Sequence, residues 1–498
     1  MNNSVQATPL PFYTVLALYL IGMAYIGWYA SKKTTSLSEF FVMNAKAGAL
    51  VSGLAYFATQ YSMSTFMGVP GTIYNVGYAG LAVSVPGLVF SMIIPAILIG
   101  RKLIVMGRKF NLLTMADYLA DRYGSNTIRI LLAILMIIFL IPNMGAQTIG
   151  AGVIVNVFTG LPVWVGVVGM GIIVIIYCMA GGIRGAMITD VIQGLLMVGT
   201  AIITFVLSVK MGGGLSSINE TLASTSPEML SFPGGNNYMP WQNYVSQIVL
   251  WSFFTMGQPQ LFTKFFAMKD HKTMFKAVLL GTLGMWFAAT LIEWSGVNAS
   301  VFIKGLVGKE SDNIVPMILQ RGLNPFMASL FIAGIVAAGM STIDSVLIMS
   351  TGAITRDLYQ KVINKDATDD DVMKISKFVT VAIGIVVILF GIFRPASIFQ
   401  IILFAFGGMG AFVIPVLFGM YWKRATLQGA ISSVIVTVVI MISITFKFKN
   451  LAFGFHPLIV SAAIGSIVMI VVSLVTNPPS DEIIDRHFNY LDDYKLQN

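Results

Sequence analysis

A chain of 498 residues that is 56% hydrophobic and only 10% charged is too apolar for a soluble globular protein, in which about 25% of residues carry charge. Its net charge of +9 does not point to nucleic acid, because in so apolar a chain excess Lys and Arg marks cytoplasmic loops. The single cysteine, Cys178, rules out an intramolecular disulfide, and three scattered histidines, His271, His456 and His487, argue against a histidine metal centre or proton relay.

A hydrocarbon core of about 30 Å takes roughly 20 apolar residues of helix. By that measure the sequence predicts an all-α polytopic membrane protein with thirteen spans, near 10–30, 47–75, 80–100, 127–155, 161–182, 187–210, 241–262, 274–302, 324–352, 374–393, 397–421, 426–446 and 456–476. The first has no basic flank, and its apolar run is too long for a cleavable signal peptide. Residues 103–125 read as an amphipathic helix on the inner membrane surface, with Leu112, Met115, Tyr118 and Leu119 on one face and Asp117, Asp121 and Arg122 elsewhere. Residues 211–240 and 303–322 read as outer loops, the second charged at Lys309, Glu310 and Asp312. The tail after 477 reads as a short cytosolic end.

With the N-terminus outside, twenty-three Lys and Arg residues fall on inner segments and seven on outer ones. Lys264 counts among the inner charges. This asymmetry predicts an outer N-terminus, an inner C-terminus and an odd span number.

Two spans are poor continuous helices. The second holds Ala58-Thr-Gln-Tyr-Ser-Met-Ser-Thr65 followed by Gly68-Val-Pro-Gly71, and the seventh holds Trp251-Ser-Phe-Phe-Thr-Met-Gly-Gln-Pro-Gln260. Small residues also let membrane helices pack closely, which is the competing reading of the second. Paired interrupted helices, one in each half, mark the solute site of inverted-repeat transporters, where freed carbonyls bind Na⁺ and half-helix N-termini face a carboxylate. Their spacing, five spans apart, predicts a five-plus-five inverted repeat. The resulting division is 1–46 (extra helix and inner loop), 47–210 (first repeat), 211–240 (outer loop), 241–421 (second repeat), 422–476 (two further helices) and 477–498 (tail).

The ninth span contains Ala338-Gly-Met-Ser-Thr-Ile-Asp-Ser345. Ser341, Asp344 and Ser345 sit at i, i+3 and i+4 on one helix face. Oxygens clustered at membrane depth cost several kcal/mol unless paired, protonated or bound to a cation, so an ion site is expected. Asp344 is the most central acid. Asp190 opens the sixth span, where an acid equally serves as a helix cap. Glu293 is expected at the outer interface.

The chain resembles the sodium:solute symporter family. The resemblance is carried by Met67-Gly-Val-Pro-Gly71, Ala180-Gly-Gly-Ile-Arg-Gly185 with Thr189-Asp190 and Gln193-Gly194, Gly257-Gln-Pro259, Met340-Ser-Thr342 and Trp422-Lys-Arg424. It implies the leucine-transporter-type repeat with one helix before and two after. It also implies a main Na⁺ site at Ala58, Tyr61, Ala338, Ser341 and Thr342, all hard oxygen ligands. Some members have a second Na⁺ site, which here would be Asp190, Ser341, Asp344 and Ser345. Asp344 departs from the serine of the two-sodium sialic acid carrier, and an added carboxylate could tighten that site or take a proton. Within the family, Gly257-Gln-Pro-Gln260 running into Phe265-Phe-Ala-Met-Lys-Asp270, Phe404-Ala-Phe-Gly-Gly408 and Gly454-Phe-His-Pro457 look most like pantothenate carriers.

The expected function is therefore Na⁺-coupled import of a small organic solute, a carboxylate such as pantothenate, by a monomer in the plasma membrane. The expected solute contacts are Tyr61, Ser62, Thr65, Gln147, Trp251, Thr255 and Gln258. Proline or another small metabolite is the alternative within the family, and a proton carrier using Asp344 is the alternative in coupling. No filter signature suggests a channel. No catalytic cluster suggests an enzyme, and no organic cofactor is expected.

Overall fold

The computed structural model describes residues 9–31 and 46–489, without the side chains at 9, 27, 30, 31, 177 and 179–185. Lys32, Lys33, Lys495 and the side chain of Arg184, all used in the charge count, lie outside the described residues. Helices, joined by turns and one isolated bridge, make up the described chain: α1 Pro9–Ser31, α2 Ala49–Gln60, α3 Val69–Val76, α4 Tyr78–Lys109, α5 Met115–Tyr123, α6 Asn126–Thr159, α7 Val163–Met211, α8 Leu215–Thr225, α9 Trp241–Ser252, α10 Pro259–Ala267, α11 His271–Ala299, α12 Ile314–Gly322, α13 Pro325–Ile363, α14 Asp369–Phe393, α15 Ile398–Tyr421, α16 Leu427–Phe446, α17 Pro457–Val475 and α18 Asp481–Phe488.

Among the described residues nine helices are long and apolar enough to cross a membrane, and two further apolar stretches, Leu10–Ile26 and Val163–Ile176, are shorter. The second and seventh predicted spans are the interrupted ones and are built from short helices, α2 with α3 and α9 with α10. The fifth and sixth predicted spans lie within the 49 residues of α7. A straight helix of that length would extend about 73 Å. Its two ends instead stand on two helices that touch each other: Val163 lies against Gly152 of α6, Gly322 of α12 lies against Leu207, and Gln320 of α12 donates to the Val157 carbonyl of α6. The arms Val163–Ile176 and Ala186–Met211 therefore run in opposite directions.

One loop expectation is corrected, and two other loops carry structure of their own. Residues 103–125 do not form one surface helix. Residues 101–109 continue α4, and α5 begins at Thr114, whose side chain accepts from the Asp117 N–H, and ends at Gly124 in the left-handed region. Asp117 and Arg122, assigned to its polar side, are buried. Arg122 donates to the Gly419 and Trp422 carbonyls at 2.7 and 3.1 Å, so its fork satisfies groups left open at the end of α15. Residues 211–240 contain helix α8. In 303–322, Asp312 is buried and α12 follows it. The tail helix α18 also docks: Arg486 forks onto the Asp121 carboxylate at 2.8 and 3.0 Å.

The two interrupted helices are set into the core by glycines. A Cβ on Gly296 of α11 would stand 2.3 Å from the Pro70 carbonyl oxygen, and one on Gly257 would stand 2.2 Å from that of Met409. Both obstacles are backbone, which cannot turn aside as a side chain can. Gly296→Ala is expected to cost about 1–3 kcal/mol, read as a lower melting temperature of the detergent-purified protein. An unchanged melting temperature would show that the Pro70 segment yields freely.

Candidate ion and solute site

The first interruption follows from its own sequence. Helix α2 ends at Gln60, Tyr61 is extended (φ −98°, ψ 104°), and the chain re-enters helix through a wide turn at Ser64–Gly68 before Pro70. The Ser62 N–H turns to Thr65 Oγ1 at 3.4 Å instead of continuing the ladder of α2, which leaves the Ala58 carbonyl outside that ladder. The Met63 N–H is taken by Gln147 Oε1 of α6 at 2.9 Å. The second interruption has the same logic. Helix α9 ends at Ser252, a short turn spans Phe254–Gly257, Gln258 is extended, and Pro259 opens α10, where its missing N–H costs nothing.

Four of the five predicted main-site residues meet. The Ser341 hydroxyl lies 2.9 Å from the Ala58 carbonyl and 3.1 Å from that of Ala338, and the Thr342 hydroxyl lies 3.1 Å from the Ala338 carbonyl. All are buried. Two helices distant in sequence thus converge carbonyl and hydroxyl oxygens on one small volume, the donor set a hard monovalent cation takes. Tyr61 stands at the break itself, its ring stacked on Phe57 at 5.1 Å and meeting Phe66 edge-on at 4.8 Å, with its hydroxyl lacking a hydrogen-bond partner.

The residues of the expected second site divide. Ser341 and Ser345 both turn to α2, the latter with its hydroxyl 3.5 Å from that of Thr59. Asp344 is buried on the same helix. Asp190 is paired elsewhere: Lys264 Nζ of α10 stands 2.9 Å from its Oδ2. Lys264, counted among the inner charges just past the seventh predicted span, is 1% exposed, and Asp190 is fully buried. Sequence reasoning missed this pair, although a lysine inside Leu261-Phe-Thr-Lys-Phe-Phe-Ala267 is itself a signal, an ionisable residue in an apolar run.

The expected solute contacts fall into two groups. Ser62, Thr65 and Gln147 gather at the first break. Trp251, Thr255 and Gln258 line the second: the Trp251 indole donates to Gln247 at 2.9 Å, Thr255 donates to the Ser252 carbonyl, and Gln258 Oε1 accepts from Gln260 while its Nε2 stays unpartnered. Phe399 of α15, which sequence reasoning missed, joins the groups. Its ring is 6.3 Å from that of Trp251, and its backbone lies against Gly68. Phe406 adds a second wall, 4.9 Å from Trp251. Glu293 is corrected from interfacial to fully buried. Its Oε1 accepts from Ser84 at 2.9 Å, and its Oε2 has no partner.

Ion pairs close both ends of the bundle. At the expected inner end, Asp117 and Asp357 share Arg129 and Arg356, with Arg129 Nη1 2.7 Å from Asp117 and 3.3 Å from Asp357. Asp117, Arg129 and Arg356 border a cavity of about 380 Å³ that also reaches Lys361 and Asp121. Burial would raise the Asp117 pKa, but Arg356 and Arg129 outweigh it and hold the carboxyl at about 2. At the expected outer end, Arg394 stands 3.1 Å from Asp312. There burial prevails over Arg394 and the Ile398 N–H, and the Asp312 carboxyl is pushed up to about 6.

The fold and the paired broken helices define a secondary transporter of the leucine-transporter type. A Na⁺-coupled sialic acid symporter, solved in a substrate-bound outward-open state, superposes with a TM-score of 0.80 at 21% identity, covering 95% of this chain and 99% of that one. The sequence pattern of the Sodium:solute symporter family matches residues 40–437, and the chain belongs to that family. It is 29% identical over 465 residues to the sodium/pantothenate symporter of Escherichia coli (strain K12), covering 92% of this chain and 95% of that protein. It is 25% identical over 472 residues to the osmoregulated proline transporter OpuE of Bacillus subtilis (strain 168), covering 93% and 95%. It is thus a multi-pass membrane symporter, not an enzyme, and its family implies Na⁺ as the co-transported ion.

Two outcomes follow from the geometry. Gln147→Leu removes the acceptor of the buried Met63 N–H and is expected to cost about 1–3 kcal/mol, seen as a lower melting temperature that Gln147→Glu restores in part. Asp312 binds its proton more tightly folded than unfolded. Its contribution to stability is therefore full only below the ordinary carboxyl value near 3.9 and is lost as pH rises through about 6, by about 3 kcal/mol in all. Asp312→Asn should flatten that part of a melting-temperature profile against pH; an unaltered slope assigns it to another group.

Proposed function

We propose that this symporter carries a small organic carboxylate, with pantothenate as the leading solute, inward with Na⁺. The observation that carries the reading is the Ser341 hydroxyl held between the Ala58 and Ala338 carbonyls, with Thr342 beside it. Na⁺ seated among Ala58, Tyr61, Ala338, Ser341 and Thr342 ties the broken helix to α13, so ion binding and the shape of the first break are one event. The solute lies between the breaks. The N-termini of the half-helices that resume at Ser64 and Pro259 carry positive partial charge suited to a carboxylate. Trp251 and Phe399 supply the apolar wall, and Gln258 Nε2 is a spare donor.

Thirteen crossings, an outer N-terminus, the repeat boundaries at 47–210 and 241–421, residence in the plasma membrane and action as a monomer complete the reading. Its support is the charge asymmetry of the loops, the separate partners of the two α7 arms, and the relatives named above.

Uptake of radiolabelled pantothenate into proteoliposomes, with proline as competitor and Na⁺ replaced by K⁺ at fixed pH, tests it. Transport is expected to collapse in K⁺; undiminished transport would sink the sodium reading. Uptake of proline but not pantothenate would move the substrate to the alternative. Ser341→Ala should raise the Na⁺ concentration for half-maximal uptake about tenfold, the effect of losing roughly 1.4 kcal/mol of ligation, and Thr342→Ala should act in the same direction. An unchanged sodium dependence removes them from the site.

A further inference from the structure

We propose that Lys264 is a resident cation that fills the second ion position of this symporter, so that the chain binds and couples one Na⁺ and not two. The inference rests on the sodium-coupled reading above and deepens it.

The pair is built, not incidental. Lys264 Nζ stands 2.9 Å from Asp190 Oδ2, with 2% of the lysine side chain and none of the aspartate exposed. No solvent reaches the pair to share the charge, so each member is held by the other. Asp190 is the carboxylate that a second Na⁺ would need. Asp190 and Asp344 stand on helices packed against each other, with Gly334 of α13 against Leu196 and Thr200 of α7 and the Thr200 hydroxyl donating to the Phe331 carbonyl at 2.8 Å. The two hydroxyls expected to complete that position, Ser341 and Ser345, point instead at Ala58 and Thr59.

An ammonium and a sodium ion compete for such a carboxylate on unequal terms. The ammonium is tethered to α10, so it loses no translational freedom on pairing and cannot be diluted away. Na⁺ must be stripped of water and drawn from solution. Lysine also brings hydrogen-bond donors that match the carboxylate, so with the ammonium in place Asp190 does not draw on the hydroxyls of Ser341 and Ser345, which turn to α2. The tether has a further consequence. Lys264 sits on the half-helix that follows the second break, and Asp190 on the second arm of α7, so the pair clamps the broken helix to its neighbour with a charge that is never released to solution.

The test needs no knowledge of the solute. Radioactive Na⁺ bound per detergent-purified full chain is counted at saturation for the unaltered protein, Lys264→Met and Lys264→Arg. One ion is expected for the unaltered protein. Two are expected for Lys264→Met, where Asp190 is left bare, and one for Lys264→Arg, which keeps the tethered charge. The double variant Asp190→Asn with Lys264→Met removes both members and is expected to return to one. Two ions on the unaltered protein overturn the proposal, as does a single ion on a folded Lys264→Met. Should Lys264→Met fail to fold, the count on the unaltered protein decides, with one ion supporting the proposal and two refuting it. No bound ion on any form overturns the sodium-coupled reading itself, which is distinct from either failure.

Discussion

Every backbone polar group at membrane depth must be satisfied within the protein, and this constraint governs the whole site. Two helices are interrupted near their middles, and each interruption releases N–H and C=O groups that a regular helix would pair. The structure answers them with side chains from elsewhere. Gln147 reaches from α6 to the Met63 amide, and Ser341 reaches from α13 to the Ala58 carbonyl. A site that must be completed by other helices is sensitive to how those helices stand. An ion or solute that replaced one of these contacts would also shift the helix that supplies it.

Charge is handled in the same way. The intramembrane pair Lys264–Asp190 and the four-residue network of Asp117, Arg129, Arg356 and Asp357 are each assembled from separate elements. A buried ion pair adds little net stability over apolar packing, but breaking one member out is costly. Such pairs therefore suit latches that hold one arrangement until another set of contacts compensates. Stoichiometry has an energetic meaning too. Each net positive charge moved inward gains about 2.3 kcal/mol per 100 mV. One Na⁺ travelling with a monoanion moves no net charge, so a lysine in the second position ties accumulation to the sodium gradient alone.

Much of the architecture was legible beforehand because it is written in local pattern. Apolar run length located the nine long apolar helices found among the described residues. The polar run from Ala58 to Thr65 located the first interruption and Gly257 with Pro259 the second, and helical spacing put Ser341 and Ser345 on one face. The failures share a cause. Lys264 was read as an inner charge just past a span and Glu293 as interfacial because sequence position estimates depth only to within a few residues, and one helical turn separates water from the core. Residues 103–125 were read as a membrane-surface helix because their apolar face was visible, while the carbonyls of Gly419 and Trp422 that claim Arg122 were not. Phe399 passed unnoticed, and Phe406 was noted only within a family-like stretch, because an aromatic in an apolar span carries no mark of which neighbour it meets.

The sequence alone determined an all-helical membrane carrier, the two positions where its helices break, and the oxygen-rich face of α13. These depend on composition, on periodicity and on residues within a few turns of one another. Only the tertiary structure decided which oxygens converge and which charge neutralises which. Ser341 meets a carbonyl 283 residues away, and Lys264 meets an aspartate 74 residues away. Those distances are set by how the helices pack, and no local pattern encodes them.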